Sequence, residues 1–103
     1  MENYINRVEL QGIIGGSQTK EVKDRIMVSF TLITSRSVET EVKDYVAVEN
    51  TCHQCIALLD ENKNLSVFDR GNVLHLTGYL VSEVRKDNTI NTLVVAQEIE
   101  VKN

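Results

Sequence analysis

The sequence predicts an all-β domain, a small five-stranded barrel with one short helix between strands 3 and 4. Three observations lead to this prediction. Short segments of alternating apolar and polar residues recur along the chain, no proline or low-complexity tract divides it, and glycines lie inside two of the predicted strands. The 103 residues are expected to form one domain, 1–103, with a single modest core.

Five segments have the alternation of strands. Their predicted bounds are 6–14, 26–34, 44–49, 72–81 and 92–101. The inward positions of these strands predict a core formed by Val8, Leu10, Val28, Phe30, Leu32, Val46, Val48, Leu74, Leu76 and Leu80. Gly12 and Gly78 share the inward parity of their strands, which indicates a bend or a close approach of two backbones.

One segment departs from the strand pattern. Cys55, Leu58 and Leu59 fall at helical spacing, which predicts a helix over 52–60. Phe68 is expected to pack the exit of this helix against the barrel.

Glycines and polar residues mark the connections. Gly15 and Gly16 are expected to end the first strand, and residues 20–25, in which acids and bases alternate, to form a solvated turn. Asp87 and Asn88 are expected at the tip of a hairpin between strands 4 and 5. The resulting order, β-β-β-α-β-β, is typical of the five-stranded Greek-key barrel called the OB-fold, and the helix position favours it over an SH3-like barrel or a small sandwich.

Composition narrows the functional classes. The net charge of −4 is unfavourable for a nucleic-acid binder, although the excess acid lies mostly in residues 37–70 and leaves room for a positive groove elsewhere. Apolar runs are too short to cross a bilayer, and the N-terminal residues lack the apolar region of a secretory signal, so the expected location is the cytoplasm.

Several motifs along the chain carry a family resemblance. They are residues 6–12 (NRVELQG), 30–36 (FTLITSR), 44–48 (DYVAV), 70–73 (RGNV), 76–80 (LTGYL) and 95–101 (VAQEIEV). In order and spacing they resemble the bacterial single-stranded-DNA-binding protein family, which has the OB-fold. Residues 36–38 and the position of the last strand are similar to the primosomal replication protein N branch of that family.

The resemblance implies sequence-independent binding of single-stranded DNA, without a cofactor, by a homodimer or homotetramer that works with replication or restart proteins. Tyr45 stands where the family usually has a tryptophan, and either it or Tyr79 could stack on bases. Basic residues in the two loops beside the expected binding face would contact phosphates, namely Arg36, Lys43, Arg85 and Lys86. An outward apolar stripe on strand 4, with Val73, His75, Tyr79 and Val81, is a candidate subunit interface.

Two departures from the family keep a second function open. The chain has no tryptophan, and it lacks the long acidic-tipped tail of the replicative members. The alternative is an OB-fold subunit that has lost most nucleic-acid affinity and serves in protein interaction or assembly.

Catalytic and metal-dependent functions are not predicted. Two histidines and scattered carboxylates form no acid–base pair or nucleophilic triad in the sequence, so an enzyme is not expected. Cys52, His53 and Cys55 are the one metal-like cluster, but a structural zinc site needs four ligands, and His75 would have to supply the fourth. Two reduced thiols on or near the predicted helix are the favoured interpretation.

Overall fold

The computed structural model describes residues 3–39, 46–60 and 64–102. Its elements are β1 (Val8–Val22), β2 (Arg25–Glu39), β3 (Val46–Asp60), a 3₁₀ helix (Leu65–Phe68), β4 (Val73–Val84) and β5 (Ile90–Val101). The strands close into a barrel in the order β1-β2-β3-β5-β4, with β1 pairing to both β2 and β4. The predicted fold class, an all-β OB-fold barrel, is therefore confirmed. Within the described residues, no helix is long and apolar enough to cross a membrane.

Strand β1 is longer than the sequence suggests because it bends instead of ending. Its first half pairs with β4 from Val8 to Ile13, and its second half pairs with β2 as far as Val22. The register shifts between Ile14 and Gly16, which is a β-bulge. The prediction that Gly15 and Gly16 end the strand was wrong, since a bulge bends a strand while its pairing continues. The predicted solvated turn is correspondingly reduced to Lys23 and Asp24 at the hairpin tip.

The predicted helix over 52–60 was wrong, because these residues form the second half of β3. They pair with β2 in an unbroken antiparallel register that runs from Arg25 opposite Asp60 to Glu39 opposite Val46. A five-residue apolar run satisfies both the helical and the strand period, and here the long partner strand decides between them. The one helical turn between β3 and β4 is the 3₁₀ helix.

The core follows the predicted alternation. Its fully buried residues are Ile14, Val28, Phe30, Leu32, Cys55, Ala57, Phe68, Leu74, Leu76 and Val94. Phe68 packs on Phe30 with ring centroids 5.0 Å apart, so its predicted packing against the barrel is confirmed, although it comes from the 3₁₀ helix and not from the exit of the predicted helix. Leu80, which was expected in the core, is 43% exposed because β4 has by then passed the end of the barrel. Val46 and Val48 have side chains outside the described part of the structure.

Two hairpins extend beyond the barrel. The β2–β3 arm consists of residues 35–39 paired with 46–50, and the β4–β5 arm consists of residues 81–84 paired with 90–93. They give the molecule extents of 56 × 39 × 32 Å and a radius of gyration of 16.2 Å, against about 13 Å for a compact domain of 100 residues. One arm contains the first residues of β3, and the other contains the first residues of β5. Because β3 and β5 are parallel where they meet at Cys55 and Val94, both arms leave the same end of the barrel, which we call the barrel mouth.

Candidate nucleic-acid interface

The tip of the β4–β5 arm presents Arg85 and Lys86 to solvent. The amide of Arg85 donates to the Thr89 carbonyl oxygen at 2.9 Å, and the Asn88 amide donates to the Arg85 carbonyl oxygen at 2.9 Å. Asn88 takes a left-handed conformation, with φ of 67°, which suits an asparagine at a turn. The predicted position of the hairpin tip is thus confirmed.

The one acidic residue of this turn, Asp87, is hydrogen-bonded within the turn. The Asp87 carboxylate accepts hydrogen bonds from the Thr89 hydroxyl at 2.6 Å and from the Thr89 amide at 3.0 Å. These bonds lower the pKa of Asp87, so the carboxylate stays ionised while it holds the turn. Arg85 and Lys86 have no ion-pair partner among the residues that the structure describes. Their positive charges are therefore available to an anionic ligand.

Arg36 lies on the β2–β3 arm, opposite Glu49 in the β2–β3 register. Its Nε donates to Glu49 Oε2 at 3.2 Å, and both side chains are largely exposed. Exposed ion pairs of this kind contribute about 0–1 kcal/mol, so a phosphate could take the place of the carboxylate at small cost. Arg36 must therefore give up its ion pair with Glu49 before it can bind a phosphate, whereas Arg85 and Lys86 have no such pair with a described residue.

A cleft of about 290 Å³ opens where the β2–β3 arm separates from the first half of β1. Its lining includes Glu9, Gln11, Arg36, Glu49 and His53. At its base the Thr34 hydroxyl and the His53 ring nitrogen Nε2 share a hydrogen bond of 2.8 Å. The cleft thus offers both hydrogen-bond donors and hydrogen-bond acceptors beside the barrel mouth.

The other predicted site residues are placed differently. Tyr79 is half-buried on the outer face of β4, opposite Val95 of β5 and on the wall of the barrel that excludes β2 and β3. The structure therefore separates it from Arg36. Lys43 and Tyr45 lie outside the described residues.

Charge is divided between the two outer walls of the barrel. On the β1–β2–β3 wall, outward positions with described side chains carry Lys20, Arg25, Cys52 and Asp60, and Arg25 and Asp60 form an ion pair at 3.7 Å. The outward positions of the β1–β4–β5 wall instead carry Glu9, Glu98 and Glu100, together with His75. Glu9 pairs with His75 at 3.0 Å. Among the described outward positions, the β1–β4–β5 wall is thus more acidic than the β1–β2–β3 wall.

The metal-like cluster is dispersed by the strand geometry. Cys52 and Cys55 lie three residues apart on β3, so their side chains point to opposite faces; Cys52 is exposed and Cys55 is buried in the core. Burial raises the pKa of the Cys55 thiol to about 11, which keeps it protonated and a poor metal ligand. The described residues contain no group of three or more histidine, cysteine or acidic side chains that could hold a metal ion.

Comparison with known proteins identifies the fold. No protein-family model matches the sequence, and no curated protein matches it. Among solved structures, this chain is similar to Plasmodium falciparum SSB in its complex with ssDNA, with a TM-score of 0.77 and 15% identity, over 100% of this chain and 99% of that chain. At this sequence identity the likeness shows a shared fold and nothing more. The likeness and the barrel topology together establish that the chain adopts the OB-fold.

Proposed function

We propose that this protein binds single-stranded DNA without sequence preference and without catalysis, in replication, recombination or repair in the cytoplasm. The observation that carries the proposal is the position of Arg85 and Lys86 at the tip of the arm that leaves the barrel mouth. Neither side chain forms an ion pair with a described residue. The bound ssDNA in the Plasmodium falciparum structure of the same fold supports this choice of ligand.

In this proposal the phosphates follow the cations of the two arms. Arg85 and Lys86 contact the backbone from one side, and Arg36 does so from the other after exchanging Glu49 for a phosphate. We assign Lys43 a further phosphate contact and Tyr45 a stacking surface, by resemblance. Such contacts do not depend on base identity, so the expected binding is tolerant of sequence.

Competition between nucleic acids tests the proposal. A fluorescently labelled oligo-dT bound to the protein should be displaced by unlabelled oligo-dT and oligo-dC at similar concentrations. A duplex of equal length should displace it poorly. Equal displacement by the duplex would mean that the protein binds polyanions in general.

Glu49→Gln is expected to strengthen binding. The substitution removes the carboxylate that pairs with Arg36, and with it one negative charge near the barrel mouth. Affinity for oligo-dT at low salt should rise about threefold, and the slope of log K against log salt should steepen by up to about 0.7, the contribution of one phosphate contact. Glu98→Gln is the matched control, because it removes a carboxylate that lies on the barrel wall opposite Thr77 and forms no ion pair with any described residue. An equal gain in both variants would contradict a specific role for Arg36.

A second function is favoured by the outer face of β4 and β5. Tyr79 lies opposite Val95, and Val81 lies opposite Leu93, so four apolar side chains form one block on this face. Such a block suits a protein partner or a second copy of the chain in a homodimer or homotetramer. This block lies on the outer face of β4 and β5, whereas the cations proposed to bind ssDNA lie at the tip of the β4–β5 arm and on the β2–β3 arm, so one protein could perform both functions.

A further inference from the structure

The inner face of the β4–β5 arm carries an apolar pair that the core does not use. Val84 and Ile90 lie directly opposite each other in the β4–β5 register, at the base of the Arg85–Lys86 tip. They are 67% and 68% exposed. By strand parity they share the face of Leu80 and Val94, the face that continues the barrel interior toward the mouth.

The position of this pair leaves it without a neighbouring strand. Beyond Leu80 and Val94 the arm is a two-stranded ribbon in the described structure, so no third strand covers these side chains. About two thirds of each side chain therefore stays in water, and little of its apolar surface is buried by folding. The cross-strand pair contributes about 0.2–1 kcal/mol to the hairpin, and the exposed surface of both side chains stays open to a ligand.

We propose that Val84 and Ile90 form an aliphatic platform on which a nucleobase packs its face, while Arg85 and Lys86 hold the adjoining phosphates. The inference rests on the proposed function and identifies where base contact occurs in a chain without tryptophan. Each nucleotide presents an apolar ring face next to a negative charge. The arm presents an apolar pair next to two cations that have no ion-pair partner among the described residues.

An aliphatic platform predicts a specific salt signature. Packing a base on Val84 and Ile90 releases no counterions, whereas each phosphate contact does. Val84→Ser/Ile90→Ser should therefore weaken oligo-dT binding about tenfold with the slope of log K against log salt unchanged. Arg85→Gln/Lys86→Gln should instead flatten the slope by about 1.4, at about 0.7 per lost contact.

The test is a fluorescence anisotropy titration of labelled oligo-dT at several salt concentrations, with sedimentation of each variant alongside. Leu58→Ser/Val101→Ser is the matched control, because these side chains are also exposed, at 48% and 41%, and lie toward the other end of the barrel. The inference is overturned if Val84→Ser/Ile90→Ser binds like the wild type, or if the control loses as much affinity. It is also overturned if the first variant changes only the oligomeric state, which would make the pair a protein contact.

A second readout does not depend on comparing variants. Ring currents from a packed base should shift the methyl resonances of Val84 and Ile90 on addition of oligo-dT, while the methyl resonances of Leu58 stay in place. Unshifted Val84 and Ile90 methyls in a protein that binds oligo-dT would overturn the inference and leave the proposed function standing. Failure of the wild-type protein to bind at all would overturn both.

Discussion

Gly78→Ala is expected to destabilise the barrel by more than about 3 kcal/mol. A Cβ at Gly78 would overlap the carbonyl oxygen of Val95 and lie 2.9 Å from its carbonyl carbon. The obstacle is backbone of the neighbouring strand β5, which cannot rotate away as a side chain could. Since whole domains of this kind are stable by about 5–15 kcal/mol, the loss should be visible in the urea midpoint or as failure to accumulate folded protein.

Gly16→Ala makes the same chemical change where there is room. A Cβ at Gly16 would meet nothing within 4 Å, and the residue does not have a left-handed φ. The free energy of unfolding of this variant, obtained from urea denaturation, should lie within about 1 kcal/mol of the wild-type value. Similar midpoints for Gly78→Ala and the wild type would show that β4 and β5 do not approach as described.

Arg85→Glu/Lys86→Glu is expected to have the largest effect on binding. It replaces two cations at the tip of the β4–β5 arm with carboxylates that repel the phosphates. Affinity for oligo-dT at low salt should fall by about a hundredfold or more. Stability should hardly change, because the turn is held by the Asp87–Thr89 hydrogen bonds and by backbone bonds that the variant keeps.

Lys23→Glu/Lys102→Glu changes the net charge equally at the other end of the barrel. Lys23 is at the β1–β2 tip, and Lys102 follows β5. If the arms carry the binding, this variant should lose much less affinity than Arg85→Glu/Lys86→Glu. Equal losses in the two variants would mean that overall charge, and not the barrel mouth, decides binding.

Alternation was sufficient to predict the centre of the barrel. Val28, Phe30 and Leu32 are buried as expected, because a strand with one wall toward the core keeps a strict period of two. Gly12 marks a close approach of neighbouring backbones, one of its two predicted interpretations, and Gly78, at the same inward parity, does so too. These features depend on one strand at a time and are therefore readable in the sequence.

Features that depend on pairing were harder to predict. The second half of β3 is a strand because β2 supplies fifteen residues of partner, and nothing between Cys52 and Asp60 reveals that length. Likewise, Gly15 and Gly16 indicate a break in alternation but not whether the chain turns or bends. The longer strands in turn create the two arms that frame the candidate site.

The site could be predicted only in outline. Residues at the hairpin tip, such as Arg85, were identified correctly as loop cations, because the turn is encoded locally by Asp87 and Asn88. The pairing of Arg36 with Glu49 depends on the β2–β3 register, which no local signal gives. The predicted strand bounds of 72–81 and 92–101 leave Val84 and Ile90 in the connection, because the polar pair Ser82 and Thr92 interrupts the apolar positions of this face.

The most direct test of ssDNA binding at the barrel mouth is the affinity of the wild-type protein for oligo-dT as a function of salt. Fluorescence anisotropy should give binding at low salt and a slope of log K against log salt of about −1.4 to −2.8, corresponding to two to four phosphate contacts. Absence of binding at the lowest salt, or a slope near zero, would contradict the account.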